Sequence, residues 1–326
     1  MCARRATLAE AVELPLHDGR LLVVCKDDRS LDVLDLRRGE SVGTVISSGD
    51  SPHEVAASMD GAVGYLPIYG DSPVGAPGTD GRAIDVIDLV RVARVATERI
   101  DFASRPHLPQ LGPDGLLYVS TELDESISVF DPETMRPVTR LGTGAAQSHM
   151  FAFAPDGATM AVANVTPGTV SVIDLKSGSL RGIVEVAASI NRITFDSVGR
   201  FVFTADQGSA RLAVVDTHTL GVADWIDLPA IGFGSALTPN ARHLVIALRR
   251  ASQIAIVDLR SRTVVAAIDV PAHPQAIVIH PSGRYAYSAC DASNLVVEVD
   301  LEDARVRRVI PTGRNPDGIA WARSPT

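Results

Sequence analysis

From Thr169 to Leu175 apolar and polar residues alternate with period two, the pattern of a β-strand. The same strand recurs at Leu31–Leu36, Ile84–Leu89, Ile127–Asp131, Leu212–Asp216, Ile254–Leu259 and Leu295–Asp300. Its surroundings recur with it. In the unit holding Thr169, Met150–Ala154 forms a first short strand, Pro155-Asp156-Gly157 turns the chain, and Thr159–Ala163 forms a second. Lys176-Ser177-Gly178 then turns the chain after the third strand, and Leu180–Val186 forms a fourth.

The period is regular. Eight residues before each turn glycine, or its equivalent, stand His53, His107, His149, Asn191, Phe233, Gln275 and Asp317. From His107 onward the spacing is 42 residues at every step; from His53 to His107 it is 54, the same period plus a 12-residue insertion. Four strands in about 42 residues is the arithmetic of a β-propeller. Helical solenoids have similar periods, but β-branched enrichment and Asp-Gly or Ser-Gly turns exclude them. The first unit begins at its second strand, Arg20–Cys25, and the missing strand lies at the other end, Asn315–Trp321. The sequence therefore predicts an all-β fold: a seven-bladed β-propeller of four-stranded blades, the ring closed by the C-terminal strand joining the N-terminal blade. Residues 15–326 form this single domain and 1–14 an N-terminal extension.

Three segments of the fourth unit carry a family resemblance: Phe153-Ala154-Pro155-Asp156-Gly157, Ala161-Val162-Ala163-Asn164 and Val170-Ser171-Val172-Ile173-Asp174. They resemble the YVTN-type repeat of seven-bladed propellers, and the resemblance extends over the chain from about Pro15. It implies the propeller fold. For function it implies less, because such repeats occur in enzymes, enzyme subunits and binding modules.

Composition narrows the partners. A net charge of −9 argues against a nucleic-acid partner. No apolar run reaches the ~18 residues of a membrane-spanning helix, and the start of the chain, despite Arg4 and Arg5, has no signal-peptide core. Cys2, Cys25 and Cys290 form no metal or redox spacing. These features place the protein in the cytoplasm.

Candidate chemistry lies in the repeated column. In a propeller the first strand starts, and the second ends, on the same face of the disc. One ring at the channel mouth is then Asp317, His53, His107, His149, Asn191, Phe233 and Gln275. A second ring is Lys26, Ile68, Glu122, Asn164, Asp206, Leu248 and Cys290. Three imidazoles from consecutive blades, His53, His107 and His149, can converge on a divalent transition metal, zinc first and copper, iron or nickel as alternatives. Solvated channel residues, or metal-free catalytic histidines, are the competing reading. Glu122 is placed to be a fourth ligand or a base on metal-bound water, ahead of Glu54, and Asp317 to act as acid or base. Asn191, Asn164 and Asp206 are candidate substrate contacts. Arg192 either binds an anionic substrate group or pairs with Asp206. Lys26, Arg249 and Arg250 read as solvated rim charges. His17, His218, His243 and His280 read as surface residues, and His273 stands two residues before its column. The insertion, Asp71–Gly81, is a Gly- and Pro-punctuated loop over the His side of the mouth, with Tyr69 at its base able to hydrogen-bond a substrate.

These residues point to a metal-dependent lyase or lactonase-like hydrolase acting on a small molecule at the channel mouth. The reaction class comes from likeness to propeller lactonases and streptogramin-type lyases. A non-catalytic binding or scaffold module is the alternative, and a metal-dependent oxygenase a further one. Carotenoid-cleaving oxygenases hold iron on four propeller histidines, where this column offers three.

Overall fold

The computed structural model describes residues 17–100 and 104–325. The N-terminal extension 1–14, with Cys2, Arg4 and Arg5, lies outside the described residues. Seven four-stranded antiparallel sheets form a ring, each a meander from the channel outward. The ring closes where Pro316–Ala322 pairs with Arg20–Cys25, Leu21 opposite Trp321 and Val23 opposite Ile319. The first blade thus takes its inner strand from the C-terminus, leaving no inner edge unpaired at the seam. Among the described residues no helix is long and apolar enough to cross a membrane.

Each sheet buries both faces against neighbouring sheets, so the middle strands are apolar almost throughout. Leu21 to Cys25 and Leu244 to Leu248 are all fully buried. Seven apolar clusters result, one per inter-blade interface. Leu22, Val24, Leu66 and Ile87 join blades one and two, and Leu34, Tyr287, Val296 and Ile310 join blades one and seven. Outer strands face water on one side and alternate accordingly, as in Thr263–Asp269.

Two local devices explain the repeated sequence. Six of the seven third strands end in Asp and the seventh, Ser126–Phe130, is followed by Asp131; that carboxylate caps the following turn. Asp174 accepts from the Ser177 amide at 2.8 Å, and Asp258 from those of Arg260 and Ser261 at 2.9 and 3.0 Å. Just before the Asp, third and fourth strands slip register in every blade, for example between Val172 and Ile173 and between Ile256 and Val257. Such bulges sharpen the twist that lets the blades fan around an axis.

Candidate active site

Two residues before the column the chain turns through a left-handed conformation in five blades, at Ser51, Arg105, Gln147, His273 and Asn315. The chain then enters the inner strand with the column residue at the mouth. All seven column residues line one cavity of about 370 Å³, together with Lys26, Glu54, Arg192 and the loop residues Asp71–Val74.

The wall of this cavity is a charge network. His53 Nδ1 lies 3.1 Å from Asp317 Oδ2, and Lys26 Nζ is 3.1 Å from the same oxygen. Across the ring, Arg192 Nη2 donates to Glu54 Oε1 at 2.6 Å and stands 3.8 Å from Asp317 Oδ1. Burial pushes the Asp317 carboxyl up, but Lys26, His53 and Arg192 outweigh it and hold the group below the usual carboxylate range. Glu54 goes the other way: burial raises it, Asp317 adds to the rise, and Arg192 offsets only part. Two buried carboxylates at one mouth are therefore shifted in opposite directions.

His107 and His149 lie deeper. Their rings stack, with centroids 3.6 Å apart and planes 32° from parallel. Burial, followed by the neighbouring imidazoles, drives His107 well below the ordinary histidine value; burial also lowers His149, against the pull of Glu122. Both shifts favour the neutral imidazole. Nδ1 of each is buried without a hydrogen-bond partner. Stacked imidazoles direct their in-plane lone pairs side by side rather than at one point. Among the described residues, no group of three or more His, Cys, Asp or Glu is arranged to hold a metal ion. The three-His set is assembled in space, but its donors do not fit a metal in this arrangement.

Glu122 and Tyr69 stand behind the cavity wall. The Tyr69 hydroxyl donates to Glu122 Oε2, Glu122 Oε1 accepts the Gly75 amide at 2.9 Å, and His149 Nδ1 is 3.8 Å from Oε2. These contacts outweigh burial and keep the Glu122 carboxyl low. Burial and Glu122 push the Tyr69 phenol far up, so it stays a donor. Arg105 completes the clamp. Its Nε donates to Asp80 at 2.7 Å, its Nη2 to the Ala76 carbonyl at 2.6 Å, and Nη1 lies 3.5 Å from Glu122 Oε1. Glu122, Arg105 and Tyr69 thus fix the Asp71–Gly81 loop as one wall of the cavity.

The second ring does not face the channel. Ile68, Glu122, Asn164, Asp206, Leu248 and Cys290 are all buried, because the inner strand stands between them and the axis; of that ring only Lys26 reaches the cavity. Asn164 is taken up by Ser148, Thr169 and Ser171, and Asp206 by Arg211 at 2.9 Å. Neither is placed to touch a substrate. Arg192 pairs with Glu54, not with Asp206. Lys26 and Arg249 are not merely solvated, since each holds a buried carboxylate, Asp317 and Asp291. His280 is fully buried, its ring bonded to Ser282 and to the Asp18 carbonyl. Burial and Asp291 push the Cys290 thiol up to about 12, so it is no nucleophile. The sequence reading missed Arg105, whose only signal is its place beside Pro106-His107, where other blades carry Ser51, Gln147 or Asn315.

No family model matches the chain, and no curated protein does. Solved structures do. Kuenenia stuttgartiensis hydrazine synthase superimposes with a TM-score of 0.72 at 17% identity, over 90% of this chain and 99% of that one. The likeness is one of fold. A Bacteroides fragilis protein with a provisional 6-phosphogluconolactonase assignment gives 0.75 at 15% identity, covering 94% and 98%. The dihydro-heme d1 dehydrogenase NirN, in complex with DHE, gives 0.68 at 14% identity, covering 94% and 77%.

Proposed function

We propose that this propeller, of the YVTN repeat type, is a hydrolase of small lactones or esters, with His53 as general base and Asp317 as the group that orients it. The observation that carries the reading is the 3.1 Å contact between His53 Nδ1 and Asp317 Oδ2 at the cavity wall. Asp317 stays ionised, held by Lys26. With the ring proton on Nδ1, the nitrogen facing Asp317, His53 Nε2 is left as the acceptor. Its side chain keeps 19% exposure, while His107 and His149 are buried; His53 combines a carboxylate partner with access to water.

In this scheme His53 Nε2 takes a proton from water as the oxygen attacks the substrate carbonyl. Charge developing on the carbonyl oxygen is offset by Lys26 and Arg192. The imidazolium returns the proton to the leaving alkoxide as the acyl C–O bond breaks, giving hydroxy acid from lactone. The Asp71–Val74 segment forms one wall against which the substrate packs. The provisional lactonase among the structural neighbours agrees with this reaction class.

One observation favours a second reading, the metal-dependent enzyme. The unpartnered, buried Nδ1 atoms of His107 and His149 would gain a partner from a divalent ion if one ring turned out of the stack. Metal analysis of tag-free protein separates the two. The hydrolase reading expects lactone turnover unaffected by chelator and reduced by His53→Gln. Stoichiometric metal, with activity lost on chelation and restored by zinc, would favour the metal reading. Absence of turnover across a lactone and ester panel would favour a binding module.

A further inference from the structure

The ring is polar except at one position. Phe233 stands opposite the histidines and is shared by the 370 Å³ cavity and an adjoining one of about 90 Å³, lined by Gln207, Arg249 and Arg250 among others. Guanidinium carbons of Arg192 and Arg249 lie 5.7 and 6.0 Å from the Phe233 ring centre. The Arg249 side chain is steered by a single carboxylate: Asp291 Oδ2 accepts from Arg249 Nη2 and from Gln275 Nε2. Arg249 Nε is buried with no hydrogen-bond acceptor, which is costly for a charged donor. Arg250, next to it, is exposed and has no ion pair among the described residues. Arg192 is balanced by Glu54 and Arg249 by Asp291, so Arg250 is surplus positive charge.

The opposite side of the same cavity is acidic. Asp27 and Asp71 line it beside Asp317, whose charge Lys26 matches. An anionic group on a substrate is repelled there and accepted at the arginine side, with its carbon skeleton against Phe233.

We propose that Arg249, Arg250 and Phe233 form an oxyanion-binding subsite that holds an anionic substituent of the substrate away from His53. The substrate class is then a small lactone or ester with a phosphate or carboxylate tail; both share the chemistry of oxygens accepting from guanidinium N–H groups. This rests on the hydrolase reading for its orientation but not for the subsite itself. The subsite's role is positioning, and Arg250→Ala removes its free cation without disturbing a buried partner.

Two measurements test it. Calorimetric or NMR titration at fixed ionic strength uses methyl phosphate in one arm and propionate in the other, on the full chain. Binding to the wild type that weakens at least tenfold in Arg250→Ala, while Arg314→Ala, whose guanidinium pairs with Asp28 outside both cavities, is silent, supports the subsite. The arm that shows it identifies the tail. Binding of neither anion, or equal weakening by both variants, overturns it. Where turnover is found, Arg250→Ala raises KM for a charged lactone at least tenfold relative to a neutral one, with little change in kcat. An unchanged KM ratio overturns the proposal. If no lactone turns over, the anion titration still decides the subsite.

Discussion

Arg192→Met breaks the pair that spans the channel from blade five to blade two. Arg192 retains 12% side-chain exposure and Glu54 5%, so the pair is largely withdrawn from water. Removing one member of a buried pair costs about 3–5 kcal/mol, because the survivor keeps its desolvation penalty; residual exposure of Arg192 points to the lower end, about 3 kcal/mol. In a chain of 326 residues that lowers Tm by roughly 4–5 °C. The pH dependence is the sharper test. The Glu54 pKa is already raised above its ordinary 4.5 by burial and Asp317, with Arg192 opposing. Without Arg192 it rises further. A raised carboxyl pKa makes ionisation the destabilising event: the penalty is absent below the unfolded value and grows as pH rises through the folded one. The gap between wild type and Arg192→Met is therefore widest near pH 8 and narrows toward pH 5. Asp317 also loses a cation, but it stays ionised across this range and adds only a pH-independent part of the loss. Urea melts at pH 8, 6.5 and 5 measure it. Glu54→Gln in the Arg192→Met background should recover about half of the loss at pH 8 or more, since an amide carries no charge to strand. A gap independent of pH, or a double variant no more stable than Arg192→Met, would refute the reasoning.

Three further outcomes follow from the same geometry. His107 and His149 sit below the ordinary histidine value of 6.5, so the folded chain binds fewer protons than the unfolded one. Their stabilisation is complete above about pH 6.5 and is lost as pH falls, by up to ~1.4 kcal/mol per unit for each ring. The stability difference between wild type and His107→Asn isolates this from Glu54, which acts in the opposite sense; a difference constant from pH 7 to 5 would contradict it. Arg105→Ala frees the Asp71–Gly81 loop, seen as faster amide exchange confined to that segment and a higher KM, whereas unchanged exchange would show that Glu122 alone holds it. Gly81→Ala places a Cβ 1.8 Å from the Ile68 carbonyl oxygen. It should cost at least ~2 kcal/mol, so wild-type stability by urea melt would show the loop base to be more yielding than its geometry.

The fold was legible because its grammar repeats. The Asp closing each third strand caps a turn, and the apolar run before it fills an inter-blade interface, so one unit read correctly reads seven. The inner column was legible for the same reason, and its seven residues meet at one cavity. The second column was not. Its period is as good, but period does not say which strand stands between a side chain and the axis, and Asn164 and Asp206 spend their hydrogen bonds inside the blade. Pairing was also invisible. Glu54 and Arg192 lie 138 residues apart, and only ring closure brings them face to face. The His107–His149 stack could not be read either, since a column fixes where a side chain starts and not how its ring turns.

The most direct test is kcat/KM for hydrolysis of small anionic lactones by wild type, Asp317→Asn and His53→Gln, in the presence of chelator. Asp317→Asn keeps the size of the side chain but removes the charge that orients His53 and is matched by Lys26. Wild type should show chelator-resistant turnover, and both variants a loss of about 10²–10⁴-fold, with the propeller intact by circular dichroism. Wild-type rates in either variant, or turnover that vanishes with chelator, would contradict it.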